Sequence, residues 1–174
     1  MIRVFILILF TFSFQLQNSF AQKGEPFVDR LFFGGNFGAS FSSEFTSVDI
    51  SPIIGYRFTE KFQAGPGIIY QYLSFQNLST NNYGAKIFAR YFLLPNIYAQ
   101  TELENLNLKF FERDPTGKIV GNRRNVQSLF IGGGYRQMIG RLGGIDFQLL
   151  YNINQNRFSP YQNPLIRIGF VSGF

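Results

Sequence analysis

The segment FTSVDISPIIGYRF, residues 45–58, carries the pattern that decides the fold. Its even-numbered positions are mostly apolar, as at Ile54 and Phe58, whereas both of its charges, Asp49 and Arg57, fall on odd-numbered positions. Successive side chains of a β-strand point to opposite faces, so the alternation predicts a strand with one apolar and one polar face.

The same alternation recurs along the chain between clusters of turn residues. It predicts eight strands, at Arg30–Phe41, Phe45–Phe58, Phe62–Phe75, Tyr83–Leu93, Ile97–Phe110, Ser128–Ile139, Gly144–Ile153 and Pro164–Phe174. The connections after the second, fourth and sixth strands are short, whereas those after the third, fifth and seventh are longer, at Gln76–Asn82, Phe111–Gln127 and Asn154–Asn163. The connection after the first strand, around Ser42–Glu44, is the exception and is also short. Bacterial membrane barrels have short turns at one end and longer loops at the other.

The composition restricts the class of protein. The chain has 174 residues, which suits one domain. Charged residues make up 15%, against about 25% in an ordinary soluble domain. Aromatic residues reach 18%, and Cys and His are absent from the sequence. The formal net charge of +6 is spread along the chain, which does not favour nucleic-acid binding.

The first residues have the features of a secretory signal peptide. Arg3 supplies a positive start, Val4–Phe14 is an almost unbroken apolar run, and Ser19-Phe20-Ala21 places small residues at a cleavage site. We expect residues 1–21 to be removed near Ala21. Residues 22–29 are then a short N-terminal segment, and residues 30–174 form the barrel.

Two kinds of barrel fit this alternation. A soluble barrel such as a lipocalin turns its apolar face inward, whereas a membrane barrel turns it towards lipid. The polar face decides between them, because it is rich in glycine, as at Gly34, Gly65 and Gly132, and carries few charges. A soluble surface would carry many more Lys and Glu. The sequence therefore predicts an all-β, eight-stranded, antiparallel up-and-down transmembrane β-barrel.

The end of the chain strengthens this prediction. Ile166, Ile168, Phe170 and Phe174 place apolar or aromatic residues at alternate positions up to the last residue, and Ser172 departs from the pattern. With these features, residues 29–174 resemble the small outer-membrane barrels of the OmpX and OmpA type. The resemblance implies an outer-membrane location and a last strand that the barrel-insertion machinery recognises. The lack of a following domain favours the single-barrel type.

The charged residues of the strands are predicted to share the inner face. A narrow eight-stranded lumen is filled by side chains, and unpaired charges inside it would be costly. We therefore predict a structural network of ion pairs that closes the lumen, and a proton or ion path is the functional alternative. The predicted network consists of Arg30, Asp49, Arg57, Lys86, Arg90, Glu102, Glu104, Arg136, Asp146 and Arg167.

No catalytic, cofactor-binding or metal-binding residues stand out. Barrel enzymes such as lipid A deacylases depend on a histidine, and this sequence has none. We predict a non-enzymatic outer-membrane protein of a Gram-negative envelope, with a structural or assembly-subunit role. The alternative is a surface-binding or adhesion protein that acts through its loops; a lipid-modifying enzyme and a narrow channel are less favoured.

The expected partners follow from this location. They are outer-membrane lipid and lipopolysaccharide, the insertion machinery and other envelope proteins, but not nucleic acid. Basic residues of the longest loop are predicted to contact lipopolysaccharide phosphates or a partner protein. These residues are Arg113, Lys118, Arg123 and Arg124.

Overall fold

The computed structural model describes residues 26–41, 45–75, 78–113, 115, 117–140 and 143–173. A short 3-10 turn, Phe27–Arg30, precedes the first strand. The strands are β1 (Leu31–Phe41), β2 (Phe45–Arg57), β3 (Phe62–Phe75), β4 (Leu78–Leu94), β5 (Ile97–Arg113), β6 (Ile119–Ile139), β7 (Gly143–Asn152) and β8 (Leu165–Ser172).

Each strand pairs with its sequence neighbours, and the sheet closes on itself. The closing pair is β1 with β8, antiparallel from Phe33 opposite Ser172 to Asn36 opposite Gly169. The prediction of a closed, eight-stranded, antiparallel up-and-down barrel is confirmed. Within the described residues, no helix is long and apolar enough to cross a membrane.

The strands differ from their predicted bounds mainly at one end of the barrel. The bounds of β3 agree with the prediction, but β4, β5 and β6 are longer, so residues 78–82, 111–113 and 119–127 of the predicted connections belong to strands. The β5–β6 pairing continues to Arg113 opposite Ile119. These extensions carry polar residues on both faces, and therefore lack the apolar alternation from which a strand is predicted.

The two faces of the wall are as different as the alternation predicts. Phe32 and Phe130 face inward and are 0% exposed, whereas Ile166 and Phe170 face outward and are 72% and 60% exposed. The outward apolar residues come from every strand and form a continuous band around the barrel. The barrel is therefore inverted relative to a soluble protein, with its polar groups inside.

Inward glycines make room for the aromatic side chains that fill the barrel. The Phe32 ring lies over Gly55, where an added Cβ would come within 2.0 Å of the ring. The Tyr98 ring lies over Gly134, where an added Cβ would come within 2.5 Å of it. Only a residue without a side chain fits beneath these rings. The predicted role of the inward glycines in close packing of the wall is consistent with these contacts.

Several predicted features lie outside the described residues. They are the signal peptide with its cleavage site at Ala21, residues 22–25 of the N-terminal segment 22–29, and the terminal Phe174 of the insertion signal.

Candidate functional site

The first group of charges in the lumen is centred on Arg167 of β8. Its guanidinium donates to Glu102 and, from Nη2, to Glu104 Oε1 at 2.7 Å. Lys86 of β4 adds an ion pair, with its Nζ at 3.4 Å from Glu102 Oε2. Both carboxylates come from β5, so Arg167 reaches them from another part of the barrel wall. The group therefore ties strands together across the lumen.

The second group is centred on Asp146 of β7. Arg136 of β6 binds it in a bidentate manner, with Nε–Oδ1 at 2.7 Å and Nη2–Oδ2 at 2.9 Å. Arg90 of β4 donates from Nη1 to Oδ2 at 2.9 Å. All three residues are at least 96% buried, and one carboxylate thus serves two guanidinium groups. Charge-assisted, bidentate pairs of this kind are strong and geometrically specific.

A glutamine joins the two groups into one network. Arg90 Nε donates to Gln100 Oε1 at 2.7 Å, and Gln100 Nε2 donates to Glu102 Oε2 at 3.1 Å. The network brings together Lys86, Arg90, Glu102, Glu104, Arg136, Asp146 and Arg167. Four cations thus meet three carboxylates, which leaves a formal charge of +1.

Three of the charges predicted for the network lie apart from it. Arg30 lies in the 3-10 turn before β1, and Arg57 donates to the backbone carbonyl of Asp29 next to that turn. Asp49 accepts from Gln71 Nε2 at 2.6 Å. These residues are near the ends of their strands, where parity still places them on the inner side but the barrel opens to solvent. Side-chain alternation alone does not report this difference in depth.

Aromatic side chains fill the short-turn half of the lumen and pack among the charges of the network. Phe32 packs edge-on against Phe88, with ring centroids 6.3 Å apart. Phe92 packs against Tyr98 at 5.1 Å, and the Arg136 guanidinium lies 5.1 Å from the Phe92 centroid. Beyond these rings is a cavity of about 490 Å³, open at this end and lined by Arg57, Glu60, Lys61, Gln63, Phe92, Leu93, Leu94, Pro95, Arg136 and Met138.

The connection between β7 and β8 folds into the opposite mouth. Tyr161 packs on Phe130 at 5.3 Å between ring centroids, and Phe158 packs on Phe110 at 5.6 Å. The Tyr161 hydroxyl also accepts from Gln71 at 3.3 Å. These rings pack against an apolar cluster made of Ile69, Leu106, Leu108 and Val126. This mouth is therefore closed by a folded loop rather than by charges.

The basic residues predicted to act together on the longest loop are separated in the structure. Arg123 is on the outer face, where it donates to Asn107 Oδ1 at 2.7 Å and stacks 4.8 Å from the Tyr83 centroid. Arg124 has the opposite parity and stacks 4.8 Å from the centroid of Phe158, in the mouth. Lys118 is exposed near the hairpin tip, and the side chain of Arg113 lies outside the described part.

Sequence reasoning missed the neutral members of the site. Gln100 and Gln71 were not selected, although both lie at inward positions of a predicted strand, and that parity was the available signal. No sequence pattern indicates the role of Tyr161 in closing the mouth, because loop residues have no regular alternation that shows which way their side chains point. Within the described residues, no cluster of three or more His, Cys, Asp or Glu side chains is arranged to hold a metal ion.

Comparison with known proteins defines the fold. No protein-family model and no curated protein sequence matches the chain. The crystal structure of the N-terminal β-barrel domain of Pseudomonas aeruginosa OprF aligns with a TM-score of 0.51 and 13% identity, over 82% of this chain and 94% of that one. A NanC porin structure aligns over 83% of this chain and 99% of that one, with a TM-score of 0.38 and 11% identity. The chain has the fold of an eight-stranded outer-membrane barrel.

Proposed function

We propose that this chain is a closed, non-enzymatic barrel of a Gram-negative outer membrane, with a structural or assembly-subunit role in the envelope. The location is supported by the outward apolar band, in which Ile87, Leu149 and Ile168 are each more than half exposed. Water-exposed apolar surface on this scale would favour aggregation of a soluble protein. In a bilayer the same band is matched to the hydrocarbon core.

Export and insertion form part of the proposal. The apolar run at residues 4–14 would direct secretion. In β8, Ile166, Ile168 and Phe170 all point outward, where an insertion factor would meet them during assembly. The short turns and the chain ends would then face the periplasm, and the extended β3–β4 and β5–β6 hairpins would project from the cell.

The observation that supports a closed barrel most directly is the filling of the lumen by rings and ion pairs. Phe32, Phe88, Phe92 and Tyr98 fill its short-turn half, packed among Arg90 and Arg136 of the network, and Tyr161 covers the long-hairpin side. The charges of the network are bound to each other, so a permeating ion would have to break buried pairs. This arrangement favours a structural role over transport.

The same contacts support a non-enzymatic role. Glu102 and Glu104 are the pair of carboxylates most similar to an acid–base site, but both are bound by Arg167 and are at least 98% buried. A catalytic carboxyl group must reach a substrate atom at hydrogen-bond distance. The aromatic side chains separate these two carboxyl groups from either mouth.

Conductance tests the closed lumen. The purified barrel is first shown to be folded by its gel mobility, unheated against boiled, and is then inserted into a planar lipid bilayer. We expect no steady single-channel current from the native chain. The double variant Glu102→Ala, Arg167→Ala removes side chains that meet across the lumen, and serves as the matched control that should leak. A steady current through the native barrel would contradict the proposal.

A second candidate function, surface binding, is favoured by the edge of β6. Pairing of β6 with β5 reaches Ile119, whereas its pairing with β7 begins only at Phe130. Within the described residues, the β6 backbone of residues 119–128 is thus paired on one side. An unpaired strand edge is a template on which an extended segment of another protein can add a strand.

This candidate has its own test. Deleting residues 110–122 shortens both strands of the hairpin and removes part of the open edge without touching the ion-pair network. Fluorescently labelled barrels in lipid nanodiscs are then incubated with intact cells, and the bound fluorescence is measured. Surface binding predicts that the native barrel binds and the shortened one does not. Equal binding by both would contradict a role for this edge.

A further inference from the structure

One pair of cations on the outer face has no carboxylate to neutralise it. Lys109 of β5 and Arg123 of β6 are directly opposite each other in the register, and both point outward. Like charges at opposite positions of neighbouring strands repel each other. The remaining outward positions of β4, β5 and β6 beyond the apolar band carry no acidic residue. This contrasts with the lumen, where each cation of the network contacts a carboxylate.

The pair lies just beyond the edge of the apolar band. On β4 the outward positions from Tyr91 to Tyr83 are aromatic or apolar, and they span about 20 Å along the membrane normal for a strand tilted by about 40°. Tyr83 is opposite Asn107, which precedes Lys109 by one outward position. Aromatic girdles mark the boundary between hydrocarbon and headgroups. The two cations are therefore at headgroup level.

The two side chains are held in different directions, Arg123 towards the girdle at Tyr83 and Lys109 over Phe111 and Gly121, one outward position nearer the hairpin tip. Arg123 donates from Nη2 to the carbonyl of Asn81 at 2.9 Å and stacks on Tyr83, so it reaches across β5 to the girdle. Lys109 Nζ is 5.1 Å from the Phe111 centroid. A Cβ on Gly121 would come within 2.6 Å of Lys109 Cε, so this glycine leaves the space in which the lysine lies.

Both cations keep free donors in this arrangement. A guanidinium has five N–H groups, and the acceptors of Arg123 engage Nη1 and one N–H of Nη2. The Lys109 ammonium contacts an aromatic ring, and within the described residues it has no hydrogen-bond acceptor. A phosphate group has several acceptor oxygens, so it can accept from both cations once the flexible Lys109 side chain turns towards Arg123.

We propose that Lys109 and Arg123 form a binding site for the phosphate of a phosphorylated lipid in the outer leaflet. This inference rests on the proposed membrane location and narrows the predicted lipopolysaccharide contact. It adds Lys109, keeps Arg123, and leaves out Arg124, which faces the mouth. An anion between the two cations relieves their repulsion, and the lipid chains lie along the apolar band below.

The experiment measures how a phosphorylated lipid changes the thermal stability of the barrel. The folded protein is placed in phosphatidylcholine vesicles with increasing amounts of lipid A, and the temperature at which the gel-mobility shift is lost is recorded. A lipid that binds the folded state raises this temperature in proportion to its content and affinity. We expect lipid A to raise it, and lipid A from which the phosphates have been removed to have little effect.

Variants locate the site. Lys109→Gln with Arg123→Gln should weaken the apparent affinity for lipid A about 30-fold, from the typical contribution of two cations at a membrane surface. The control Lys118→Gln with Arg124→Gln removes the same charge from the same hairpin and should keep the native response. The single variant Arg123→Lys should have an intermediate affinity for lipid A, because it keeps the charge and loses the planar donors.

Each other outcome overturns the inference. An equal response to dephosphorylated lipid A would show that the chains and not the phosphates bind. An equal response to inorganic phosphate would indicate a free-ion site instead of a lipid site. An equal loss of the response to lipid A in both double variants would indicate that the positive charge of the hairpin attracts the lipid without a defined binding site. If the native barrel unfolds at the same temperature with and without lipid A, the proposed lipid site is wrong, but the proposed membrane barrel is not contradicted. A chain with no heat-dependent mobility shift would overturn the proposed function itself.

Discussion

The cations of this barrel occupy two regions, the lumen and the outer face of the long hairpin, and they are neutralised in different ways. In the lumen, Arg90 and Arg136 share the carboxylate of Asp146. On the hairpin, Lys109 and Arg123 are neighbours, and no carboxylate among the described side chains pairs with them. A buried charge has to be paired within the chain because no solvent reaches it. An exposed charge can instead be paired by a group outside the chain. The charges of the lumen therefore indicate a structural role, and those on the hairpin indicate a binding role.

The largest effect is expected where one buried carboxylate serves two cations. Asp146→Ala leaves Arg90 and Arg136 without their shared partner in a lumen from which water is excluded, and should destabilise the barrel by about 3–5 kcal/mol. The free energy of unfolding in lipid vesicles, obtained from urea titration of the gel-mobility shift, measures this loss. Glu60→Ala, an exposed carboxylate on a short turn, is the control and should change stability by under about 0.5 kcal/mol. Equal effects of the two substitutions would contradict the distinction between paired interior charges and solvated ones.

Much of this distinction follows from the sequence, because parity separates the two faces of a strand. Lys86, Arg90, Glu102 and Glu104 were assigned to the lumen on this basis, and the structure places them there. Parity does not fix how far along the barrel axis a residue lies. Arg30 and Arg57 were assigned to the same network, yet they are near the open end. The depth of a residue depends on strand tilt and register, which the pairing of distant residues sets.

The strand bounds of the extended hairpin differ from the predicted ones for a related reason. A strand is predicted where apolar and polar residues alternate, whereas residues 119–127 of β6 carry polar side chains on both faces, as at Asn122 and Arg123. Their strand conformation comes from pairing with β5, up to Arg113 opposite Ile119. The folded loop at the mouth was missed because Tyr161 owes its position to packing on Phe130 and not to any local pattern.

The next largest effect compares two inward glycines, Gly134 in the narrow interior and Gly38 near the wide mouth. A Cβ on Gly134 would come within 2.5 Å of the Tyr98 ring and 2.8 Å of a backbone oxygen, whereas at Gly38 the nearest atom is 3.8 Å away. Gly134→Ala should therefore cost about 1–3 kcal/mol through overpacking. Gly38→Ala should change stability by less than about 0.5 kcal/mol. The same urea titration measures both, and similar costs would show that the lumen is not filled more tightly at one level than at the other.

A smaller effect compares the two carboxylates that share Arg167. Glu102 has three partners, Lys86, Gln100 and Arg167, whereas Glu104 has Arg167 as its ion-pair partner. Glu102→Gln should therefore destabilise the barrel more than Glu104→Gln, by about 1 kcal/mol, the typical net value of one hydrogen bond. Unfolding free energies of the two variants at neutral pH give the difference directly. The opposite order would mean that the cations of the network depend mainly on Glu104.

The last effect concerns Tyr161 of the connection between β7 and β8, which closes the mouth. Burial raises the pKa of its phenol well above the ordinary value of 10.0, and the nearby Glu104 carboxylate raises this pKa further. Below about pH 10 the phenol is neutral in both the folded and the unfolded chain, so its contribution to stability is complete. Above that pH the unfolded chain loses the proton first, and stability falls by up to about 1.4 kcal/mol per pH unit until the folded-state pKa is reached. Tyr161→Phe should reduce this slope in the pH dependence of the unfolding free energy, while Tyr83→Phe, at an exposed position, should leave it in place. An unchanged slope in Tyr161→Phe would mean that the phenol in the mouth meets the same solvent as the phenols outside.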